Sequence, residues 1–126
     1  MFELVKQVDY WTRGADNDIE TAQLLISGKK YLEGLFFCHL TIEKILKGLV
    51  VVKTRQLAPK SHNLGYLTEL ATLELAEDQT LFMAVLMKYQ LEGRYPDYYP
   101  KVPSSEIVNN YFQKTKLLLE CLKSML

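Results

Sequence analysis

The sequence has few of the residues that cross-link small domains. Its 126 residues include two cysteines and two histidines. The cysteines, Cys38 and Cys121, lie far apart and belong to no Cys-x-x-Cys motif or Cys/His cluster. We therefore expect neither a disulfide scaffold nor a zinc site, and a reducing cytoplasmic location is the default expectation.

Long apolar runs, a leader segment and an excess of one charge are also missing. The longest apolar stretch is interrupted by Glu43, Lys44 and Lys47, so we expect no membrane span. The first residues contain no basic segment followed by an apolar one, so we expect no signal peptide. Fifteen basic and fifteen acidic side chains cancel, which excludes a uniformly basic nucleic-acid coat but not a local patch.

What is present is the pattern of an amphipathic helical protein. Apolar side chains recur every three or four residues, as on the buried face of a helix. We expect Gly28 to end the first helix in a left-handed conformation, and Ser61 or Asn63 to cap the third. The predicted helices cover about residues 8–26, 31–54, 64–73, 77–91 and 105–125. With no strand pattern, residues 1–126 are predicted to form one all-α domain, an up-and-down four-helix bundle with a short additional helix.

The second predicted helix combines an apolar surface with a polar stripe. Because it is apolar on most of its circumference, we place it in the middle of the bundle. His39, Glu43 and Lys47 are spaced four residues apart on one side of it. The stripe is either a Glu43–Lys47 pair at the edge of the bundle or a polar groove whose lysines, including Lys44, face a phosphate.

The zero net charge conceals an uneven distribution along the chain. Residues 9–20 and 69–78 are acidic, whereas residues 44–68 contain five basic side chains, one histidine and no acid. The basic stretch either binds an anion or compensates the negative end of the dipole of the second helix, where lysine and arginine are favoured.

The connection over residues 92–105 breaks the helical pattern. It contains three of the four prolines and three of the eight tyrosines, and long connections in compact bundles are often functional. Arg94 with neighbouring tyrosines can bind a phosphate and stack a base. Alternatively, Arg94 forms a structural ion pair with Asp97 or Glu43.

Together these features resemble the HEPN domain family, the nucleotide-binding domains of higher eukaryotes and prokaryotes. The resemblance covers nearly the whole chain and rests on four segments in order: Trp11 with Ala15-Asp16-Asn17-Asp18, Tyr31 with His39-Leu40-Thr41-Ile42-Glu43-Lys44-Ile45-Leu46-Lys47, Ser61-His62-Asn63-Leu64, and Arg94-Tyr95-Pro96-Asp97. It implies a helical bundle, commonly a homodimer, often encoded beside a minimal nucleotidyltransferase as a toxin–antitoxin-like pair.

The resemblance also bears on catalysis. Many relatives are metal-independent ribonucleases in which a histidine follows the arginine by a few residues. The corresponding positions here hold Tyr99, Pro100 and Lys101. Without a side chain that titrates near neutrality at that place, general acid–base cleavage loses its usual agent, although Arg94 could still stabilise phosphate charge.

The leading hypothesis is a HEPN-type module that binds a nucleotide or an RNA phosphate without a metal or another cofactor. The predicted ligand contacts are Lys44, Lys47, His62, Arg94 and, as a stacking face, Tyr95. The predicted orienting acids are Asp18, Glu43 and Asp97.

Two alternatives stay open. One is a ribonuclease toxin that uses Arg94 with His62 or Tyr99 in a rearranged site. The other is an interaction domain that pairs with a nucleotidyltransferase and binds no ligand, with Tyr98 and Tyr99 as partner contacts or as acceptors for nucleotide transfer. Dimerisation is expected mainly from the resemblance, with some support from the apolar second helix and the tyrosine-rich connection.

Overall fold

Five α-helices account for most of the structure, a computed structural model that describes residues 2–126. They are α1 (Leu4–Ser27), α2 (Tyr31–Thr54), α3 (Leu64–Leu70), α4 (Glu77–Met87) and α5 (Ser105–Lys123). The segment between α4 and α5, residues 88–104, is called the crossover and contains a short 3₁₀ helix, Pro96–Tyr98. Residues 2–126 hold no strand, which confirms the predicted all-α bundle with a short additional helix.

The central position predicted for the second helix is confirmed. Helix α2 packs against α1, α3, α4 and α5, and its side chains are buried on nearly all sides. Leu35, Ile42, Leu46 and Leu49 are fully buried. Burying side chains of this size contributes about 1.5–3 kcal/mol each, so α2 is the main source of the core.

Small residues bring α1 and α2 close together. Ala15 and Ala22 are fully buried on α1. A Cβ atom added at Gly34 of α2 would lie 2.6 Å from Cγ1 of Ile26. The interface therefore depends on the missing side chain at position 34.

The turn after α1 differs from the prediction by one residue. Gly28 has φ −86°, whereas Lys29 adopts the left-handed conformation with φ 63°. The amide of Lys29 donates to the carbonyl oxygen of Ile26, and the amide of Lys30 to that of Leu25. These two bonds define a Schellman motif, whose left-handed residue follows the cap position that Gly28 occupies.

Helices α3 and α4 both end before the predicted residue. At α3, Thr72 adopts φ 52° and the amide of Leu73 donates to the carbonyl oxygen of Thr68, so the chain leaves the helix after Leu70. At α4, the amides of residues 88–90 donate to carbonyls three residues earlier, which tightens the chain beyond Met87.

Two caps position the segments that matter for the site. The Asn63 side chain accepts a hydrogen bond from the amide of Tyr66 at the start of α3, and Ser104 accepts one from Ile107 at the start of α5. Such caps are worth about 1 kcal/mol each. No helix within residues 2–126 is long and apolar enough to cross a membrane.

Candidate functional site

A buried carboxylate organises the polar stripe of α2. Glu43 is 4% exposed. Its Oε2 atom accepts a hydrogen bond from Nζ of Lys47 at 3.1 Å, and its Oε1 atom lies 2.8 Å from Nδ1 of His62. A buried carboxylate is tolerated only when it is paired in this way. We call His39, Glu43, Lys47 and His62 the Glu43 cluster.

His39 anchors the loop that carries His62. Its ring is fully buried, and Nε2 lies 3.1 Å from the carbonyl oxygen of His62. Because a carbonyl can only accept, Nε2 of His39 carries the proton. Burial lowers the pKa of His39, which keeps the ring neutral and leaves Nδ1 unprotonated, 3.8 Å from Oε1 of Glu43.

His62 connects the buried cluster to the surface. It lies just before α3, where the Asn63 cap and a hydrogen bond from the Asn63 amide to Ser61 shape the backbone. Its side chain is 43% exposed, and Nε2 lies 3.3 Å from Oε2 of Glu92. Glu92 is absent from the residues predicted from sequence, because no periodicity links it to position 62.

Lys47 is an internal cation rather than a surface one. It is 6% exposed, and Nζ lies 5.2 Å from the ring centroid of Trp11 on α1 as well as at hydrogen-bond distance from Glu43. A cation over a tryptophan face is attracted by the ring quadrupole. The Glu43–Lys47 pair thus exists, but it is buried instead of lying at the edge of the bundle.

Lys44 and Asp18 form a separate pair between α1 and α2. Nζ of Lys44 lies 2.7 Å from Oδ2 of Asp18, whose side chain is buried. Lys44 also lines a surface concavity together with α1 residues around Gly14. Lys44 therefore pairs with a side chain of α1 and lies outside the Glu43 cluster.

The remaining cations of the basic stretch are exposed. Lys53, Arg55 and Lys60 lie at the end of α2 and in the loop after it, and no salt bridge within residues 2–126 includes them. The basic stretch thus consists of two paired lysines followed by three exposed cations.

The predicted residues of the crossover face solvent. A guanidinium nitrogen of Arg94 donates to the carbonyl oxygen of Lys88 at 3.2 Å. Tyr95 is 75% exposed, and Asp97 lies in the 3₁₀ helix. No salt bridge within the described residues joins Arg94 to Asp97 or Glu43, so the structural ion pair considered for Arg94 is not formed.

The structure therefore groups the predicted residues in three places. Glu43, Lys47 and His62 meet in the Glu43 cluster together with His39, and the structure adds Glu92 at its exposed end. Lys44 and Asp18 form their own pair. Arg94, Tyr95 and Asp97 lie on the crossover, and Glu92 links that segment to His62. Within residues 2–126, no group of three or more His, Cys, Asp or Glu side chains is arranged to hold a metal ion.

Fold and site together define a class: an all-α bundle whose central helix holds a buried polar cluster that reaches the surface beside a proline-rich crossover. The family model described as HEPN domain matches residues 8–125. The chain belongs to the HEPN domain family, which confirms the resemblance noted from sequence.

Among solved structures, the chain is similar to the crystal structure of the protein TT1696 from Thermus thermophilus. The two are 24% identical, with a TM-score of 0.78, and the match covers 95% of this chain and 98% of that chain. At this identity the likeness shows a shared fold. No curated protein matches the sequence.

Proposed function

We propose that the protein is a HEPN-type module that binds a nucleotide or an RNA phosphate where His62 and the crossover meet. His62 and Arg94 contact the phosphate, and Tyr95 offers a face for a base. The observation that carries the proposal is the orientation of His62, whose inner nitrogen is held by buried Glu43 while its outer nitrogen is directed towards the exposed start of the crossover.

The crossover supplies the second phosphate contact. Glu92 contacts His62 through its carboxylate, and Arg94 follows two residues later, at most about 7 Å of chain from Glu92. The only hydrogen bond of the Arg94 side chain within the described residues is the one to a carbonyl oxygen. Its guanidinium is therefore free to form charge-assisted hydrogen bonds with a phosphate.

The other predicted residues act indirectly. Lys47 and Glu43 hold each other and His62, and Lys44 is neutralised by Asp18. We do not assign direct phosphate contact to Lys47, Glu43, Lys44 or Asp18. These four side chains position their neighbours and contribute to the local potential. Asp97 is assigned to orienting Arg94 only in the bound state, because the two form no salt bridge in the structure.

A titration with ATP and a short RNA tests the proposal. We expect Arg94→Ala to weaken binding at least about tenfold, since a hydrogen bond to a charged group contributes about 1.5–3 kcal/mol. Arg13→Ala is the matched control, because Arg13 is an exposed arginine paired with Asp9 on α1 and its loss changes the net charge equally. Equal binding by wild type and Arg94→Ala would show that the site assignment is wrong.

One geometric feature favours a ribonuclease as the second candidate. A buried carboxylate that fixes one imidazole nitrogen and leaves the other exposed is the arrangement of a general acid–base dyad, and Glu43 and His62 form it. Electrophoresis of the RNA after long incubation checks this activity. Cleavage that is lost in both Arg94→Ala and His62→Asn would support it, and intact RNA at high protein concentration would exclude it.

We further propose a minimal nucleotidyltransferase as the protein partner in a toxin–antitoxin-like pair. Support comes from family membership and from the exposed tyrosines of the crossover, Tyr98 and Tyr99. Co-production of the two proteins should yield a stable complex on size exclusion. Unmodified Tyr98 and Tyr99 in that complex, measured by mass spectrometry, would exclude the version in which they accept a nucleotide.

A further inference from the structure

His62 lies between two carboxylates from distant parts of the chain. Nδ1 is 2.8 Å from Oε1 of Glu43 on α2, and Nε2 is 3.3 Å from Oε2 of Glu92 in the crossover. Two further titratable groups act on the ring indirectly. His39 binds the carbonyl oxygen of His62, and Lys47 binds the carboxylate of Glu43. The imidazole is thus the link between the core of the bundle and the crossover.

The two contacts differ in kind. The contact of Nδ1 with Glu43 is a hydrogen bond, in which the N–H group donates to the carboxylate. The contact of Nε2 with Glu92 is an ion pair at 3.3 Å. Because Nδ1 already carries the proton that it donates, Nε2 attracts the second carboxylate only when it carries a proton as well.

The two contacts differ in strength. The contact with Glu43 is short, and its carboxylate is buried. The contact with Glu92 is longer, and the Glu92 side chain is 62% exposed. Exposed ion pairs are weak because water competes for both partners. When one contact has to break, Glu92 therefore leaves and Glu43 stays.

We propose that Glu92 is an internal competitor of the ligand, whose carboxylate occupies Nε2 of His62 in the free protein and is displaced by a phosphate oxygen on binding. A carboxylate and a phosphate oxygen are both anionic acceptors, so they use the same N–H group. Displacement releases Glu92 and, two residues further on, lets Arg94 turn to the same phosphate. This role depends on the proposed function for its ligand, whereas the bridge between Glu43 and Glu92 does not.

The binding test uses a uridine hexamer without a terminal phosphate, whose charge stays constant between about pH 5.5 and 8. At pH 5.5 we expect Glu92→Gln to bind it about two- to fivefold more tightly than wild type, which corresponds to the loss of one exposed ion pair. Glu74→Gln is the control: Glu74 is an exposed loop residue without a salt bridge among the described residues, and the variant has the same net charge.

The His62→Ala background separates competition from simple repulsion. Without the imidazole there is no ring nitrogen for Glu92 to occupy, so the advantage of Glu92→Gln over Glu74→Gln should disappear in that background. Repulsion between Glu92 and the RNA would persist in it. An advantage that is equal in both backgrounds, or no advantage in the wild-type background, would overturn the proposal while leaving phosphate binding itself intact.

A measurement without ligand keeps the inference testable if no RNA binds. The ring resonances of His62 can be compared by NMR at one fixed pH. We expect them to differ between Glu92→Gln and wild type and to coincide in Glu74→Gln and wild type, because only Glu92→Gln removes the carboxylate beside Nε2. Identical resonances in all three proteins would show that Glu92 does not hold His62.

Discussion

The two histidines show how far burial alone changes the chemistry of one residue type. His39 is fully buried, is neutral, and serves to anchor a backbone carbonyl. His62 is half exposed and meets a carboxylate at each nitrogen. Spacing on the second helix singled out His39, and the basic stretch with the family resemblance singled out His62. Neither signal could distinguish an anchor from a surface contact, because that depends on what covers each ring.

Replacing His39 by glutamine should change how stability depends on pH. Burial lowers the pKa of His39 below its ordinary 6.5, so the unfolded chain binds the proton more tightly than the folded one. The stability that the neutral ring contributes is complete above about pH 6.5 and is lost as the pH falls below that value, by at most about 1.4 kcal/mol per pH unit. A glutamine amide can still donate to the His62 carbonyl but does not titrate.

Urea unfolding of wild type and His39→Gln between pH 8 and pH 5 measures the effect. The free energy of unfolding of wild type should fall relative to that of the variant below about pH 6.5. Both proteins retain His62, so the comparison isolates the effect of position 39. Parallel pH profiles would mean that His39 is not kept neutral by the fold.

At the scale of elements, the helical pattern of the sequence is a reliable guide to α2 and a poorer one to helix ends. Helix α2 begins and ends at the predicted residues, because its apolar run is long and has breaks on both sides. The ends of α3 and α4 depend on carbonyl and amide pairing in the last turn. Neither Lys29 nor Thr72 has the residue type that favours φ > 0, so sequence did not indicate the left-handed turns.

The two buried glycines of α2 should respond oppositely to alanine. A Cβ at Gly34 would lie 2.6 Å from Ile26, whereas one at Gly48 would lie 3.5 Å from Trp11, an ordinary contact. We expect Gly34→Ala to destabilise the protein by about 1–2 kcal/mol, because overpacking outweighs the gain in helix propensity. Gly48→Ala should instead stabilise it by about 0.5–1 kcal/mol.

Thermal or urea unfolding of the two variants beside wild type makes the comparison direct. Each serves as the control for the other, since both are interior positions of one helix and receive the same methyl group. If Gly34→Ala were as stable as Gly48→Ala, then α1 and α2 would not be in the close contact described.

At the scale of the whole molecule, ion pairs neutralise part of the basic stretch locally, in addition to the zero net charge that the composition gives. Two lysines of the basic stretch are neutralised inside the bundle by Asp18 and Glu43, while three cations remain exposed. The apolar surface of α2 is covered by the other helices of the same chain. It therefore gives no support to dimerisation, which now rests on the family resemblance and the exposed crossover tyrosines.

We expect a homodimer in solution. Light scattering at micromolar concentration should give about twice the chain mass of 14.6 kDa. If the crossover forms the interface, then Tyr95→Ala combined with Tyr98→Ala should shift the mass towards the monomer, whereas Tyr10→Ala, which removes an exposed tyrosine from α1, should not. A mass near 14.6 kDa for wild type would contradict the prediction.

The sequence by itself determined the helical class, the central place of α2 and the shared face of Glu43 and Lys47. These follow from a period of 3.6 residues, which acts over neighbouring turns and needs no knowledge of the rest of the chain. Only the tertiary structure decided that Lys44 pairs with Asp18, that Arg94 stays outside the Glu43 cluster, and that Glu92 meets His62. Such contacts join segments separated by whole helices and loops, and their geometry is set by how those helices pack.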